Sequence, residues 1–324
     1  MVKAGIDLGA HSVRLVIADE GLVYNEPTVA AFNEKGDVLA IGNQALELES
    51  CADPKVRVVR PIRENSVDIE ALEAMLNDLC YEYRLFRMFQ KTALVVCYPS
   101  HLEANVIERI RDTLNELGAN RLYFDQEIWL AAIGSGVDLF LPVASCILSL
   151  GHSNCDLALF RNGHLVEQVS SEAFSGQGAA FMIRRWIEKK FRASIDEGQL
   201  QNLILTIGGV RLKQNDRTVK LSVADLETGE KRDILVSENE IVSVLSPFAR
   251  SAGLWVSRFL EGLSFEDKAD IRERGIIACG GGMQLTGLAS QISVLADCPV
   301  YVTDDPENTV AKGLEILLDS LDEN

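Results

Sequence analysis

Long apolar runs are missing from this chain. None approaches the roughly 20 residues that a helix needs to cross a bilayer, so no membrane span is expected. An apolar segment begins almost at the N-terminus without a charged leader, so no signal peptide is expected either. Seven cysteines occur (Cys51, Cys80, Cys97, Cys146, Cys155, Cys279 and Cys298), and no two form a Cys-x-x-Cys pair. Cys97, Cys146 and Cys279 lie inside apolar runs, where a free thiol behaves as a small hydrophobe. A reducing, cytoplasmic setting is the expectation. Cys146, His152 and Cys155 stand close together but lack a second ligand pair, so zinc is not expected there. Positive charge is in deficit: 31 Lys and Arg face 48 Asp and Glu, a net charge of −17. That argues against nucleic acid as a partner and against purely electrostatic attachment to anionic membranes. No linker or low-complexity segment divides the 324 residues, which suffice for about two domains. With 47% hydrophobic residues, the core needs no disulfide or metal staple.

What is present is glycine at two telling places. Residues 4–9 read Ala-Gly-Ile-Asp-Leu-Gly, and residues 279–282 read Cys-Gly-Gly-Gly. Each adjoins a short apolar run, as for a strand entering a tight turn. A glycine turn lets main-chain N–H groups approach a phosphate or nucleobase with no Cβ in the way. Asp7, within the first turn, is a candidate to hold Mg²⁺ against such phosphates, directly or through water. Two such turns suggest a cleft between two domains, each supplying one wall.

Short apolar runs, alternating or clustered, predict strands at 3–7, 12–18, 92–98, 121–124, 144–150, 156–160, 164–171, 275–279 and 299–303, with two more in 217–236. Short strands are expected near 22–24, 28–32 and 37–42, with Pro27 at an edge or bend. Helical spacing covers 43–50, 68–84, 102–117, 126–135, 178–191, 197–207, 238–262, 284–296 and 307–321. Both halves open alike, with a strand, a glycine turn near an acidic residue and another strand. This is the pattern of a structural repeat.

Eight segments resemble, in order, the MreB family of bacterial actin homologues. They are Gly5-Ile-Asp-Leu-Gly9, Tyr24-Asn-Glu-Pro-Thr28, Arg60-Pro-Ile-Arg63, Ala131-Ala-Ile-Gly-Ser-Gly136, Asp225-Leu-Glu-Thr-Gly229, Glu273-Arg-Gly275, Gly280-Gly-Gly282 and Asp304-Asp-Pro-Glu307. The resemblance implies an α/β, actin-like fold: a duplicated ribonuclease H-like, two-lobed ATPase fold with four subdomains around a nucleotide cleft. The first lobe would cover 1–142 plus 305–324, with a small subdomain at about 31–65. The second would cover 143–304, with a small subdomain at about 181–238. The resemblance also implies self-assembly into filaments on the inner face of the cell membrane, partnered with the cell-wall elongation machinery. A sugar or acid kinase on the same fold is disfavoured, because the matches reach the hairpin at Glu227-Thr-Gly-Glu230. A non-polymerising scaffold of the same fold is a further alternative.

The resemblance assigns site residues too. Asp7 matches the first phosphate-loop aspartate, with Gly9, His11 and Ser12 in the same turn. Glu127 matches the carboxylate that orients the attacking water, the catalytic role; the residue also opens a helix, where the dipole favours an acid. Gly151, Gly176, Gly280, Gly281 and Gly282 would line ATP or ADP, and Asp156 joins Asp7 as a candidate Mg²⁺ ligand. The second phosphate loop departs from the family's Asp-Ile-Gly-Gly-Gly-Thr-Thr-Glu and reads Ser149-Leu-Gly-His-Ser-Asn-Cys-Asp156. Neutral Ser149 replaces a carboxylate, and His152 and Ser153 place side chains where glycines stood. The family's Gly-Asp-x-Met-Asp becomes Gly176-Gln-Gly-Ala-Ala180, and the helix whose Glu and Lys embrace ribose and base reads Gln201-Asn-Leu-Ile204. The expectation is weak nucleotide binding with little or no hydrolysis; an ordinary ATP-hydrolysing member is the alternative. Residues 81–91 read Tyr-Glu-Tyr-Arg-Leu-Phe-Arg-Met-Phe-Gln-Lys, at the family's membrane-insertion loop. Leu85, Phe86, Met88 and Phe89 are expected to enter lipid, with Arg84, Arg87 and Lys91 reaching its phosphates.

Overall fold

A computed structural model describes residues 1–51, 53–63, 66–87 and 90–321. They divide into two compact units, Met1–Val137 with Asn308–Asn324, and Asp138–Glu307.

Unit 1 opens with three apolar strands, β1 (Val2–Leu8), β2 (Ser12–Ile17) and β3 (Gly21–Pro27), joined as an antiparallel meander. A small sheet follows from β4 (Ala30–Phe32), β5 (Val38–Ile41) and, after helix α1 (Gly42–Cys51), β6 (Arg57–Val59). The short β7 (Ile62–Arg63) and β8 (Ser66–Val67) pair with each other. Helix α2 (Ile69–Glu82) begins at Asp68, whose side chain accepts the Ala71 N–H at 3.0 Å. It buries Leu72, Met75, Leu76 and Leu79, the stripe that its spacing predicted. Strand β9 (Thr92–Tyr98), helix α3 (Ala104–Glu116), strand β10 (Arg121–Gln126) and helix α4 (Glu127–Gly134) complete this stretch. The large sheet is ordered β10-β9-β1-β2-β3, with β10, β9 and β1 parallel.

Unit 2 repeats the plan. Strands β11 (Ser145–Leu150), β12 (Cys155–Arg161) and β13 (His164–Ser171) form the meander. Helix α5 (Gly176–Phe191), strand β14 (Ala193–Ser194), helix α6 (Glu197–Ile207) and strands β15 (Thr218–Asp225) and β16 (Lys231–Ser237) come next. Strands β14, β15 and β16 make a second small sheet. Helix α7 (Glu238–Gly262) starts with a Ser237–Glu240 capping box and runs on through Pro247. Helix α8 (Phe265–Arg274), strand β17 (Ile276–Cys279), a 3₁₀ turn at Gly281–Gln284, helix α9 (Leu288–Ala296) and strand β18 (Val300–Val302) follow. The large sheet is ordered β13-β12-β11-β17-β18, with β11, β17 and β18 parallel. Strand for strand, this is the unit 1 topology: a meander whose first strand continues into two parallel neighbours. The expected duplication is therefore present.

The chain then returns to unit 1 as helix α10 (Thr309–Ser320). Helices α10 and α4 meet at two glycines. A Cβ at Gly134 would lie 1.8 Å from the Thr309 carbonyl oxygen, and one at Gly313 would lie 2.0 Å from that of Leu130. Leu314 of α10 presses on Gly5 of β1.

Three local expectations change. The helix expected at 284–296 begins only at Leu288, because Gly287 takes a left-handed conformation and the preceding residues tighten into the 3₁₀ turn. Helix α8 was not anticipated. It buries only Ile271, so it carries no apolar period, and ion pairs from Arg161 to Glu266, Asp267 and Asp270 hold it. Strands β6, β7 and β8 are too short to show an alternation.

Candidate functional site

In an α/β sheet, ligands gather beyond the carboxyl ends of the parallel strands. In unit 1, the register of β1, β9 and β10 sets Asp7, Cys97 and Asp125 side by side at that edge. Glu127 follows two residues later as the first residue of α4. The structure thus brings Asp7 and Glu127 to one sheet edge, around Cys97. Burial pushes the Cys97 thiol well above its ordinary pKa, and the carboxylates of Asp7, Glu127 and Asp125 push the same way.

The turn after β1 is held by Thr28. Its hydroxyl donates to the Gly9 carbonyl at 2.6 Å, and its N–H donates to the His11 carbonyl at 2.9 Å. The turn is tight: a Cβ at Gly9 would sit 2.6 Å from the Ser12 carbonyl oxygen. Gly9 is thus required by the turn itself. His11 is exposed and Ser12 is buried at the start of β2.

Asp7 has an internal partner that the sequence reading missed. The β1–β2 register places it directly opposite Arg14, and the Arg14 Nη1 donates to Asp7 Oδ2 at 3.0 Å. The pair is buried, with Asp7 3% and Arg14 8% exposed. Burial pushes the Asp7 carboxyl up from its ordinary value, while the guanidinium and hydrogen bonds from Arg14 and Cys97 pull it down. With solvent excluded, Arg14 first and Cys97 second favour the ionised form.

Unit 2 carries the equivalent positions. Ser149 takes the place of Asp7, opposite Asp156 across the meander and beside Cys279 on the parallel side. Asp156 is 3% exposed, and both of its oxygens are engaged. Asn154 Nδ2 donates to Oδ2 at 2.9 Å, Gln168 Nε2 donates to Oδ1 at 3.2 Å, and the Ser170 hydroxyl also donates to Oδ1. Asp156, expected as a Mg²⁺ ligand, thus has both oxygens engaged by side chains of its own unit. Among the described residues, no group of three or more His, Cys, Asp or Glu side chains is placed to hold a metal ion. Mg²⁺ needs anionic oxygens open to it, and here the Arg14 guanidinium lies on Asp7 while three side-chain donors lie on Asp156.

Glycine turns meet at the carboxyl edge of β11 and β17. The Gly176 N–H donates to the Gly151 carbonyl at 2.9 Å, and the Gln177 N–H to that of His152 at 2.8 Å. Ser175 caps the Gly178 N–H. The first turn of α5 is thus closed by the 151–154 loop. The Gly280 turn packs on Leu150. A Cβ at Gly280, where φ is +89°, would lie 2.3 Å from the Leu150 carbonyl oxygen. One at Gly282 would lie 1.7 Å from Leu150 Cδ2, whereas one at Gly281 would meet no described atom within 4 Å. Gly280 and Gly282 are packing glycines, and Gly281 faces open space.

In the candidate membrane segment, Leu85 is 1% exposed and belongs to the unit 1 core. Its expected entry into lipid would require it to leave that core. Phe86 is half-buried against the same core, Arg87 and Lys91 are exposed, and Met88 and Phe89 lie outside the described residues.

Comparison with known proteins gives this geometry a family. Mbl of Bacillus subtilis, a cell shape-determining protein, is 27% identical over 320 residues, covering 98% of this chain and 96% of Mbl. MreB of Escherichia coli, also named as cell shape-determining, is 25% identical over 98% of this chain and 93% of its own. The crystal structure of MreB5 of Spiroplasma citri bound to ADP superposes with a TM-score of 0.89 at 25% identity, covering 98% of this chain and 95% of that one. A MamK double helical filament shares the fold at a TM-score of 0.79 and 15% identity, covering 99% of each chain. The MreB/Mbl protein family model matches residues 1–324, and with an actin-like duplicated sheet beneath that match, the chain belongs to the MreB/Mbl family.

Proposed function

We propose that this protein is an actin-like cytoskeletal element of cell-shape determination that assembles with itself into filaments at the cytoplasmic face of the membrane. Nucleotide serves it as a conformational ligand with little or no turnover. The observation that carries this reading is the extent of the family match, which covers residues 1–324 and so includes both small sheets. The relatives named for cell-shape determination cover the same length, and the MreB5 relative was crystallised with ADP.

The turn at Gly9–Ser12 in unit 1, and the 151–154 loop with Gly281 in unit 2, are the main-chain elements suited to phosphate. Each offers main-chain N–H groups to a phosphate within its own unit, and nucleotide binding biases the equilibrium between assembling and non-assembling conformations. Low turnover is supported by Ser149, a neutral residue where the family carries a carboxylate, and by the prior engagement of Asp156. Losing one charge-organising group from such a site costs about 3 kcal/mol, roughly a hundredfold in rate. Membrane association is supported by Phe86 beside the exposed Arg87 and Lys91, repeated along a filament so that weak contacts add by avidity.

The deciding experiment incubates purified protein with ATP or ADP and follows filaments by negative-stain microscopy, with phosphate release measured in parallel. Filaments with release near background are expected. Brisk phosphate release would overturn the low-turnover reading, and absence of polymer with either nucleotide would leave a non-polymerising scaffold.

A further inference from the structure

We infer that this chain binds nucleotide without a divalent cation, because Arg14 already occupies the charge role at Asp7 that Mg²⁺ would otherwise fill. The inference rests on the nucleotide reading above and extends it. Three observations carry it.

The first is the strand register. Asp7 and Arg14 are directly opposed on β1 and β2, so the contact at 3.0 Å is built into the hairpin and does not depend on a chance rotamer. Both side chains are buried, so bulk water does not compete for the contact. A guanidinium does not lose its proton in a protein, so this cation is permanent. The second is the chemistry of the exchange. Mg²⁺ is strongly hydrated and takes one or two carboxylates plus phosphate oxygens in an octahedron. To approach Asp7 it would have to displace the guanidinium or sit beside it, and two cations repel strongly where solvent is excluded. The third is the duplicate position in unit 2. Ser149 supplies no charge, and Asp156 beside it holds three hydrogen-bond donors. The two matched carboxylates are thus both engaged, Asp7 by Arg14 and Asp156 by Asn154, Gln168 and Ser170.

Isothermal calorimetry on the full chain tests this, with ADP and AMPPNP titrated in EDTA and again in excess Mg²⁺. The dissociation constants are expected to agree within about threefold. Binding at least about tenfold tighter in Mg²⁺ would overturn the inference while leaving the nucleotide reading intact. No binding in either buffer would overturn both. Asp7→Asn, which keeps Arg14 and unmasks its charge, is expected to bind nucleotide in EDTA as tightly as the parent or more so. A selective loss of Mg²⁺-dependent affinity in that variant would instead make Asp7 a metal seat. Arg14→Leu, checked for its fold by circular dichroism, is expected to acquire a Mg²⁺ preference; if folded and still indifferent to Mg²⁺, it counts against the inference. The comparison on the unaltered chain decides the matter even if Arg14→Leu does not fold.

Discussion

Three adjacent glycines in unit 2 differ in what surrounds them, and alanine at each should give a different result. At Gly280 the new methyl meets main chain, 2.3 Å from the Leu150 carbonyl oxygen, at a φ of +89°. The left-handed backbone alone costs an L-residue about 1–2 kcal/mol, and forcing a methyl into packed main chain costs about 1–3 kcal/mol more. Gly280→Ala should therefore lose about 2–5 kcal/mol and lower the melting temperature of unit 2 by roughly 5–15 °C. Gly282→Ala meets chiefly the end of the Leu150 side chain, which can turn away, so its loss should be smaller, about 1–3 kcal/mol. Gly281→Ala meets no described atom within 4 Å and should melt within about 0.5 kcal/mol of the parent. If Gly281 faces a ligand, that same silent substitution should weaken nucleotide binding. The assay is a thermal melt of all three variants alongside a nucleotide titration of Gly281→Ala. Equal melting of Gly280→Ala and the parent would refute the packing argument. Unchanged nucleotide affinity in Gly281→Ala would remove this turn from the ligand site.

Leu85→Ser should destabilise unit 1 by about 3 kcal/mol through the cavity it leaves, whereas Phe86→Ser should fold and pellet less with anionic vesicles; undiminished pelleting would rule out the membrane contact. Under native conditions a thiol reagent should modify Cys51 quickly and the six buried cysteines slowly, Cys97 among the slowest because its thiol is raised by burial and by neighbouring carboxylates; rapid labelling of several thiols would contradict the core described here. Glu49 is held below its ordinary pKa by hydrogen bonds from Arg60. Its contribution to stability is therefore present above the unfolded value of about 4.3 and is lost as pH falls through the lowered folded value. Arg60→Leu should remove that part of the acid sensitivity, and identical acid titrations of the two proteins would disprove the link.

The fold was legible because its signals are local. Strands such as Thr92–Tyr98 are continuous apolar runs, and α7 buries Ile241, Leu245, Phe248, Ala252, Val256 and Phe259 at helical spacing. The glycine turns were legible because so few residues can make them. Partnership across strands was not. Arg14 reads as a charge in an apolar strand until the register puts it opposite Asp7. Gln168 and Ser170 declare no interest in Asp156 until β13 folds back on β12. Leu85 looked like surface because it follows the last turn of α2, yet Arg84 turns left-handed there (φ +51°) and returns the chain to the core. Helix α8 was invisible because its attachment is ionic.

The return of α10 to unit 1 has a consequence for synthesis. Unit 2 is one uninterrupted stretch of chain, Asp138–Glu307, whereas unit 1 awaits residues made after it. As the ribosome works along the message, unit 2 can reach its native state while the first-made strands still lack the helix that caps Gly5 and locks into Gly134. The earliest residues to emerge are thus among the last to be finished. A nascent or C-terminally clipped chain would carry an open apolar seam along α4 and β1, a natural handle for chaperones and proteases.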